Sequence, residues 1–224
     1  MTNNTVSRSA ARLAIATSSL TLLLLASLHV LSPEFGPSWR MVSEYANGQY
    51  AWVLSLMFAA WAISSWALAF AIRSQVNTTA GKIGLVFLIL AGVGEAMASV
   101  FDINHELHGL AGIIGIGGLP IAAMLLSVSL SRTEAWSSGK KVLLWTANLT
   151  WISVVLLMAA FAIMIGTFMQ SGATIDPQAV ITELPEGVIG LVGWANRLLI
   201  AAYCIWVIAV TWLAIKLPIQ NKTV

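Results

Sequence analysis

The chain has 224 residues, of which 58% are hydrophobic and only 9% are charged. Soluble domains carry about 25% charged residues, so this composition, with a mean hydropathy of +0.87, is typical of an integral membrane protein. A net charge of +2 is too small to indicate a nucleic-acid partner. The single cysteine, Cys204, excludes an intrachain disulfide.

Six apolar runs follow one another along the chain, and each reaches the roughly 20 residues that a transmembrane helix needs. They cover residues 13–31, 51–72, 83–101, 110–130, 142–169 and 192–217. The connections are too short for a soluble domain, so residues 1–224 are predicted to form one all-α bundle of six transmembrane helices. The basic start also resembles a secretory signal, but the length of the first apolar run favours an uncleaved anchor.

Basic residues lie almost entirely on one side of these spans. Nine of the eleven are Arg8, Arg12, Arg73, Lys82, Arg132, Lys140, Lys141, Lys216 and Lys222. Because cytoplasmic loops are enriched in Lys and Arg, this pattern predicts a prokaryotic cytoplasmic-membrane protein with both termini in the cytoplasm. Arg40 and Arg197 are the exceptions, and they lie on the predicted outer side.

Polar side chains accumulate at the predicted outer ends of the spans. In chain order the main ones are His29, Ser43, Glu44, Tyr45, Glu95, Asp102, His105, His108 and Arg197. We take Glu95, Asp102 and His108 as candidate catalytic residues. The candidate binding residues, which would hold a headgroup, are His29, Ser43, Glu44, Tyr45 and Arg197.

Glu95 is the most informative of these residues because it lies within a span. An ionisable group at the centre of a span costs at least ~2.5 kcal/mol, so it faces the bundle interior and needs a partner. Arg197 enters the last span at a similar depth, and we expect it to pair with Glu95 or with Asp102. Such a pair could equally be a structural tie between helices without any chemistry.

The histidines raise the question of a metal. His29, Asp102, His105 and His108 are weak candidate ligands for a divalent ion, with zinc as the expected metal because it binds imidazole and carboxylate groups. The alternative is a set of polar histidines at the membrane interface. The loose spacing favours this alternative.

The fourth span combines several glycines with Pro120. Small residues allow neighbouring helices to approach closely. Because proline has no N–H, Pro120 leaves the carbonyl one turn earlier, near Ile116, available to another partner. We expect this helix to pack tightly and to bend.

Three short motifs resemble a known family. Residues 32–34 (Ser-Pro-Glu), residues 42–45 followed by Gly48, and the Phe101-Asp102 pair followed by His108-Gly109 are similar to the bacterial and archaeal membrane family catalogued as domain of unknown function 998. The resemblance covers nearly the whole chain and implies six spans, but no reaction. A looser likeness, to the six-span Frag/DRAM group, rests on Ser43, Gly48 and His108; some members of that group are linked to lipid remodelling.

The sequence leaves three functions open. The first is a bundle that binds or processes a membrane lipid or other amphiphile at an outward-facing polar pocket, with His108 or Glu95 as the base if it is a hydrolase. The second is a non-catalytic scaffold for a protein partner. The third is a small-solute or proton-coupled transporter that uses Glu95.

Overall fold

The computed structural model describes residues 6–173 and 183–217. Its long helices are α1 (Arg8–Leu31), α2 (Ala51–Ile72), α3 (Thr79–Val100), α4 (His108–Ser131), α5 (Lys140–Ser171) and α6 (Val192–Lys216). All six are long and apolar enough to cross a membrane. The predicted six-span helical architecture is therefore confirmed, and the largest difference in bounds is at α1, which begins at Arg8 rather than at Leu13.

The helices form a closed ring. Each helix packs against its neighbours in the chain, α6 closes onto α1, and α6 also contacts α2 and α4 across the interior. Successive helices pack against each other in antiparallel pairs, so α1, α3 and α5 end where α2, α4 and α6 begin. We call this the polar end of the bundle, and the opposite end, which carries Arg73, Lys82 and Arg132, the basic end.

Glycines set the distance between α3 and α4. A Cβ atom on Gly94 would lie 2.4 Å from the backbone nitrogen of Gly115 and 2.7 Å from the carbonyl oxygen of Ala111. The two helices therefore pack backbone against backbone at this level, as the small residues predict. This contact fixes the position of Glu95, the next residue on α3, relative to α4.

Pro120 also behaves as the sequence predicts. The hydroxyl of Tyr203 on α6 donates a hydrogen bond of 2.7 Å to the carbonyl oxygen of Ile116, the acceptor that the proline leaves without its helical N–H. Tyr203 is fully buried. A bond from a neighbouring helix thus satisfies the interrupted backbone of α4 in the middle of the bundle.

The loop between α1 and α2 folds over the polar end. It contains a short 3₁₀ helix, Val42–Asn47, and its backbone is bonded to the start of α6: Gly193 N–H donates to Ser38 O (2.9 Å), and Val42 N–H donates to the Oδ1 of Asn196 (2.9 Å). The loop is therefore fixed above the ring interior. The sequence also predicts a short interfacial helix at residues 180–184, which falls mainly outside the described residues.

Candidate functional site

A cavity of ≈ 80 Å³ lies under this loop, between α2, α3, α4 and α6. A single ordered water needs roughly 10–15 Å³ measured in this way, so the space admits several water-sized groups. The apolar lining includes Phe58, Ile116, Leu199 and Ile200. The lining residues that carry hydrogen-bonding side chains are Ser43, Trp61, Glu95, His108 and Asn196.

Glu95 lies in the wall of this cavity. It is five residues before the end of α3, about 7–8 Å below the helix terminus, and only 3% of its surface is exposed. Its Oε2 accepts a hydrogen bond of 2.8 Å from the Ser65 hydroxyl of α2. Its Oε1 is buried and has no hydrogen-bond partner.

Trp61, which also lines the cavity, has an unpaired atom of the opposite kind. It is 4% exposed, and its indole N–H is buried without an acceptor. The ring is held by Phe58, which stacks on it at 6.2 Å, and by Tyr203, which meets it edge-on at 5.8 Å. Two residues that line one cavity therefore carry unpaired polar atoms, an oxygen on α3 and an N–H on α2, and such groups are costly to leave unpaired.

Three further side chains add polar atoms to the lining. The amide oxygen of Asn196 is used by Val42, whereas its NH₂ group has no acceptor among the described residues. The Nδ1 of His108 is 2.9 Å from the Phe101 carbonyl oxygen, which can only accept, so Nδ1 carries the proton. In the neutral ring Nε2 is then an acceptor. Ser43, which is 8% exposed, contributes a hydroxyl.

Arg197 belongs to a different network. Its Nε donates to His29 Nε2 (2.8 Å), one terminal nitrogen donates to Arg40 O (2.7 Å) and Gly193 O (3.0 Å), and the other donates to the Tyr45 hydroxyl (2.9 Å). His29 accepts this bond because its Nδ1 donates to Leu25 O (2.8 Å). The guanidinium is thus bound by neutral acceptors from α1, the first loop and α6.

The expected pairing of Arg197 with Glu95 or Asp102 is therefore wrong. Within the described residues no carboxylate lies in ion-pair range of Arg197. The physical reason is the ring order: α3 and α6 lie on opposite sides of the ring. Asn196, rather than Arg197, is the polar residue of α6 that lines the same cavity as Glu95.

The other predicted site residues lie outside the cavity. Glu44 pairs with Arg40 at 2.6 Å, Asp102 is exposed and accepts from the Asn104 backbone N–H (2.9 Å), and His105 stacks on Phe101 at 4.5 Å. Of the predicted residues, Glu95, His108 and Ser43 come together at the cavity, and His29, Tyr45 and Arg197 come together in the second network.

The four weak metal candidates make separate contacts. His29 binds Arg197, and His108 binds the Phe101 carbonyl. Among the described residues no group of three His, Cys, Asp or Glu side chains is arranged to hold a metal. Zinc binding therefore remains a prediction from the sequence alone.

Two residues of the site have no clear signal in the sequence: Ser65, which bonds to Glu95, and Trp61, which lines the cavity. Trp61 is one of ten tryptophans, and nothing in its local pattern distinguishes it from a lipid-facing one. Ser65 follows Ser64 within α2, and this polar pair inside an apolar run was the one available signal. A serine donor within the membrane indicates a nearby acceptor on another helix.

The closed ring of six apolar helices and its interior polar cavity define a polytopic helical membrane protein. Residues 15–213 match the model of a family described as protein of unknown function (DUF998), and the chain belongs to this family. The resemblance derived from the short motifs is thereby confirmed, whereas the Frag/DRAM likeness remains a prediction. Neither the curated proteins nor the solved structures give a significant match.

Proposed function

We propose that this protein binds the polar group of a membrane amphiphile in the cavity beside Glu95. The observation that carries the proposal is that Glu95 and Trp61 line one cavity and that each has a buried polar atom without a partner, the Oε1 of Glu95 and the indole N–H of Trp61. Native proteins rarely retain such atoms without a function or a bound partner. With both termini in the cytoplasm, as the basic residues predict, the cavity faces the outer leaflet.

The composition of the lining supports an amphiphile. Ligand sites are mostly apolar, with a few polar groups that orient the ligand. Here the polar lining residues run from Ser43 and His108 at the polar end to Trp61 in the middle of the bundle. Phe58, Ile116 and Ile200 supply apolar contacts. His108 and Gly112 are only half-buried, so the cavity reaches the surface beside α4.

Binding, rather than hydrolysis, is the activity that the geometry supports. A hydrolase of the serine type needs the nucleophile within hydrogen-bond reach of its base. Among the described residues no hydrogen bond joins Ser43 to His108 or to Glu95, and Nδ1 of His108 is used by a backbone carbonyl. The polar groups of the cavity can therefore orient a ligand without any of them being activated for attack.

Two variants of α4 test this proposal. Gly112 lines the cavity, and a Cβ atom there meets nothing within 4 Å. Gly112→Leu should fill the cavity and abolish retention of lipid, which native mass spectrometry of the purified protein would detect. Gly117 is equally open but does not line the cavity. Gly117→Leu is therefore the matched control and should retain the ligand.

Identical retained lipids in the wild type, Gly112→Leu and Gly117→Leu would refute the proposal. A wild type that retains no lipid and instead co-purifies with a fixed protein partner would favour the scaffold function. Because both substitutions replace glycine by leucine on one helix, changes in helix propensity cancel between them.

Proton-coupled transport is the second candidate, and the same Glu95 oxygen favours it, since intramembrane carboxylates serve as proton carriers. Transport also needs a path to the basic end. Trp61, Tyr203 and Trp206 are buried in the middle of the bundle, so such a path would require these side chains to move. Solute-driven proton uptake in proteoliposomes that is lost in Glu95→Gln would establish transport; equal uptake in both would exclude this role.

A further inference from the structure

The polar atoms of the cavity are of both hydrogen-bonding kinds. Among the residues that line it, Glu95 Oε1 can accept, as can His108 Nε2 when the ring is neutral, whereas the Trp61 indole N–H and the Asn196 NH₂ group can only donate. The ligand must therefore contain groups that donate and groups that accept. From this set, and on the basis of the proposed function, we infer that the ligand is a neutral amphiphile with a hydroxyl headgroup.

An ammonium headgroup fits less well than a hydroxyl. It would satisfy the Glu95 carboxylate, but it has no acceptor for the N–H groups of Trp61 and Asn196. Each buried donor that remains unpaired lowers affinity roughly tenfold or more. A cation would also lie against these two donors, whose hydrogens carry partial positive charge.

An anionic headgroup fits less well for the opposite reason. It would lie in a cavity whose wall contains a carboxyl group, with the nearest buried guanidinium, that of Arg197, engaged with four acceptors in a separate network. A hydroxyl avoids both problems. It donates to Glu95 and accepts from Trp61, and it remains compatible with Glu95 in either protonation state.

The size of the cavity limits the headgroup. A volume of ≈ 80 Å³ accommodates a handful of water-sized groups. This is the size of a simple alcohol or of a glycerol unit, and it is too small for an oligosaccharide. The alkyl part of the ligand would contact Phe58, Ile200 and the glycine side of α4.

The test uses three probes that differ only in their headgroups: decanol, decylamine and decanoate. The full-length protein is placed in nanodiscs of phosphatidylcholine, a lipid without a hydroxyl donor, and binding is measured by calorimetric titration. Gly112→Leu protein in the same discs provides the background from partition into the bilayer. We expect decanol to bind most tightly to the wild type.

Two conservative variants then separate a hydroxyl ligand from a cation. Trp61→Phe keeps the ring but removes the donor, and it should weaken decanol binding about threefold to tenfold. Glu95→Gln keeps an acceptor and should change decanol binding by less than about threefold. Trp136 is the matched control, because its indole N–H is also buried and unpartnered but does not line the cavity; Trp136→Phe should leave binding unchanged.

The two proposals fail in different ways. Suppose that decylamine binds most tightly, that Glu95→Gln abolishes its binding and that Trp61→Phe has no effect. The ligand is then a cation, and only the hydroxyl inference is overturned. If no probe binds the wild type better than Gly112→Leu, the proposed function fails, and the inference fails with it. Tightest binding of decanoate likewise overturns the hydroxyl inference alone.

Discussion

Arg197 and Glu95 are both buried ionisable residues near the polar end, yet their surroundings differ. Arg197 is 5% exposed and donates four hydrogen bonds to neutral acceptors. Glu95 is 3% exposed, accepts one bond and leaves the other oxygen without a partner. Burial alone therefore does not separate a structural charge from one available to a ligand. The two kinds of residue differ in whether their hydrogen bonds are complete, because an unpaired buried atom can be satisfied by a bound molecule.

The two regions are also connected. The Arg197 network joins α1 and the first loop to α6, and it holds the backbone of Arg40. Asn196, the preceding residue on α6, holds Val42 and lines the cavity. The Arg197 network thus positions the loop that covers the cavity. The stability of this network offsets the cost of the unpaired atoms on the residues that line the cavity. Four substitutions test that division of roles.

The largest effect should come from Arg197→Leu. The substitution removes the donor from acceptors on the buried Tyr45 and the half-buried His29 and Arg40, at roughly 1–3 kcal/mol for each acceptor that water does not reach. We expect the free energy of unfolding to fall by about 3–5 kcal/mol, as measured by denaturant titration in mixed micelles. Arg132 is exposed at the basic end, so Arg132→Leu should change stability by less than about 0.5 kcal/mol. A similar small change for Arg197→Leu would contradict the structural role.

Gly94→Ala should have the next largest effect, now at the cavity. The added methyl would meet the backbone of Gly115 and Ala111, which cannot move aside as a flexible side chain can. We expect a loss of about 1–3 kcal/mol from overpacking, measured in the same titration. Gly117→Ala meets nothing within 4 Å, so it should be neutral or stabilising by up to about 1 kcal/mol. Equal effects in the two variants would rule out the close α3–α4 contact.

The third effect concerns the hydrogen bond from Tyr203 to Ile116. Tyr203→Phe leaves the Ile116 carbonyl unpaired and should cost about 1–2 kcal/mol. Pro120→Ala supplies a helical N–H for the same carbonyl, so the cost of Tyr203→Phe should be smaller in that background. A double-mutant cycle measures this coupling, expected at about 1 kcal/mol. Additive effects would show that Tyr203 stabilises the bundle by packing alone.

The sequence predicts the helices of this molecule much better than its side-chain partners. Hydropathy is a property of whole segments, so the six spans agree with α1–α6 within a few residues. The role of Pro120 could be anticipated because a missing N–H has a fixed local consequence. The partner of Glu95 could not be anticipated. The sequence indicates how deep a residue lies in the membrane, but it does not indicate which neighbouring helix the side chain contacts. Ser65 and Trp61 face the site only because α2 lies beside α3.

The smallest effect, and the one with the opposite sign, should come from Glu95→Met. Methionine has a similar volume and no unpaired oxygen, and replacing an incompletely satisfied buried ionisable group by an apolar side chain is often stabilising. Ser65 can then bond to a carbonyl of its own helix, as Ser64 does with Trp61 O (2.7 Å). We expect a gain of about 1 kcal/mol in the free energy of unfolding, together with loss of ligand. Ser65→Ala is the control. Ser65→Ala should lower the free energy of unfolding by about 1 kcal/mol when residue 95 is glutamate. It should have almost no effect in the Glu95→Met background, because the hydroxyl then has no carboxyl group to bond. If Glu95→Met destabilised the protein as strongly as Arg197→Leu, Glu95 would be a structural residue like Arg197, and the distinction between the two regions would be lost.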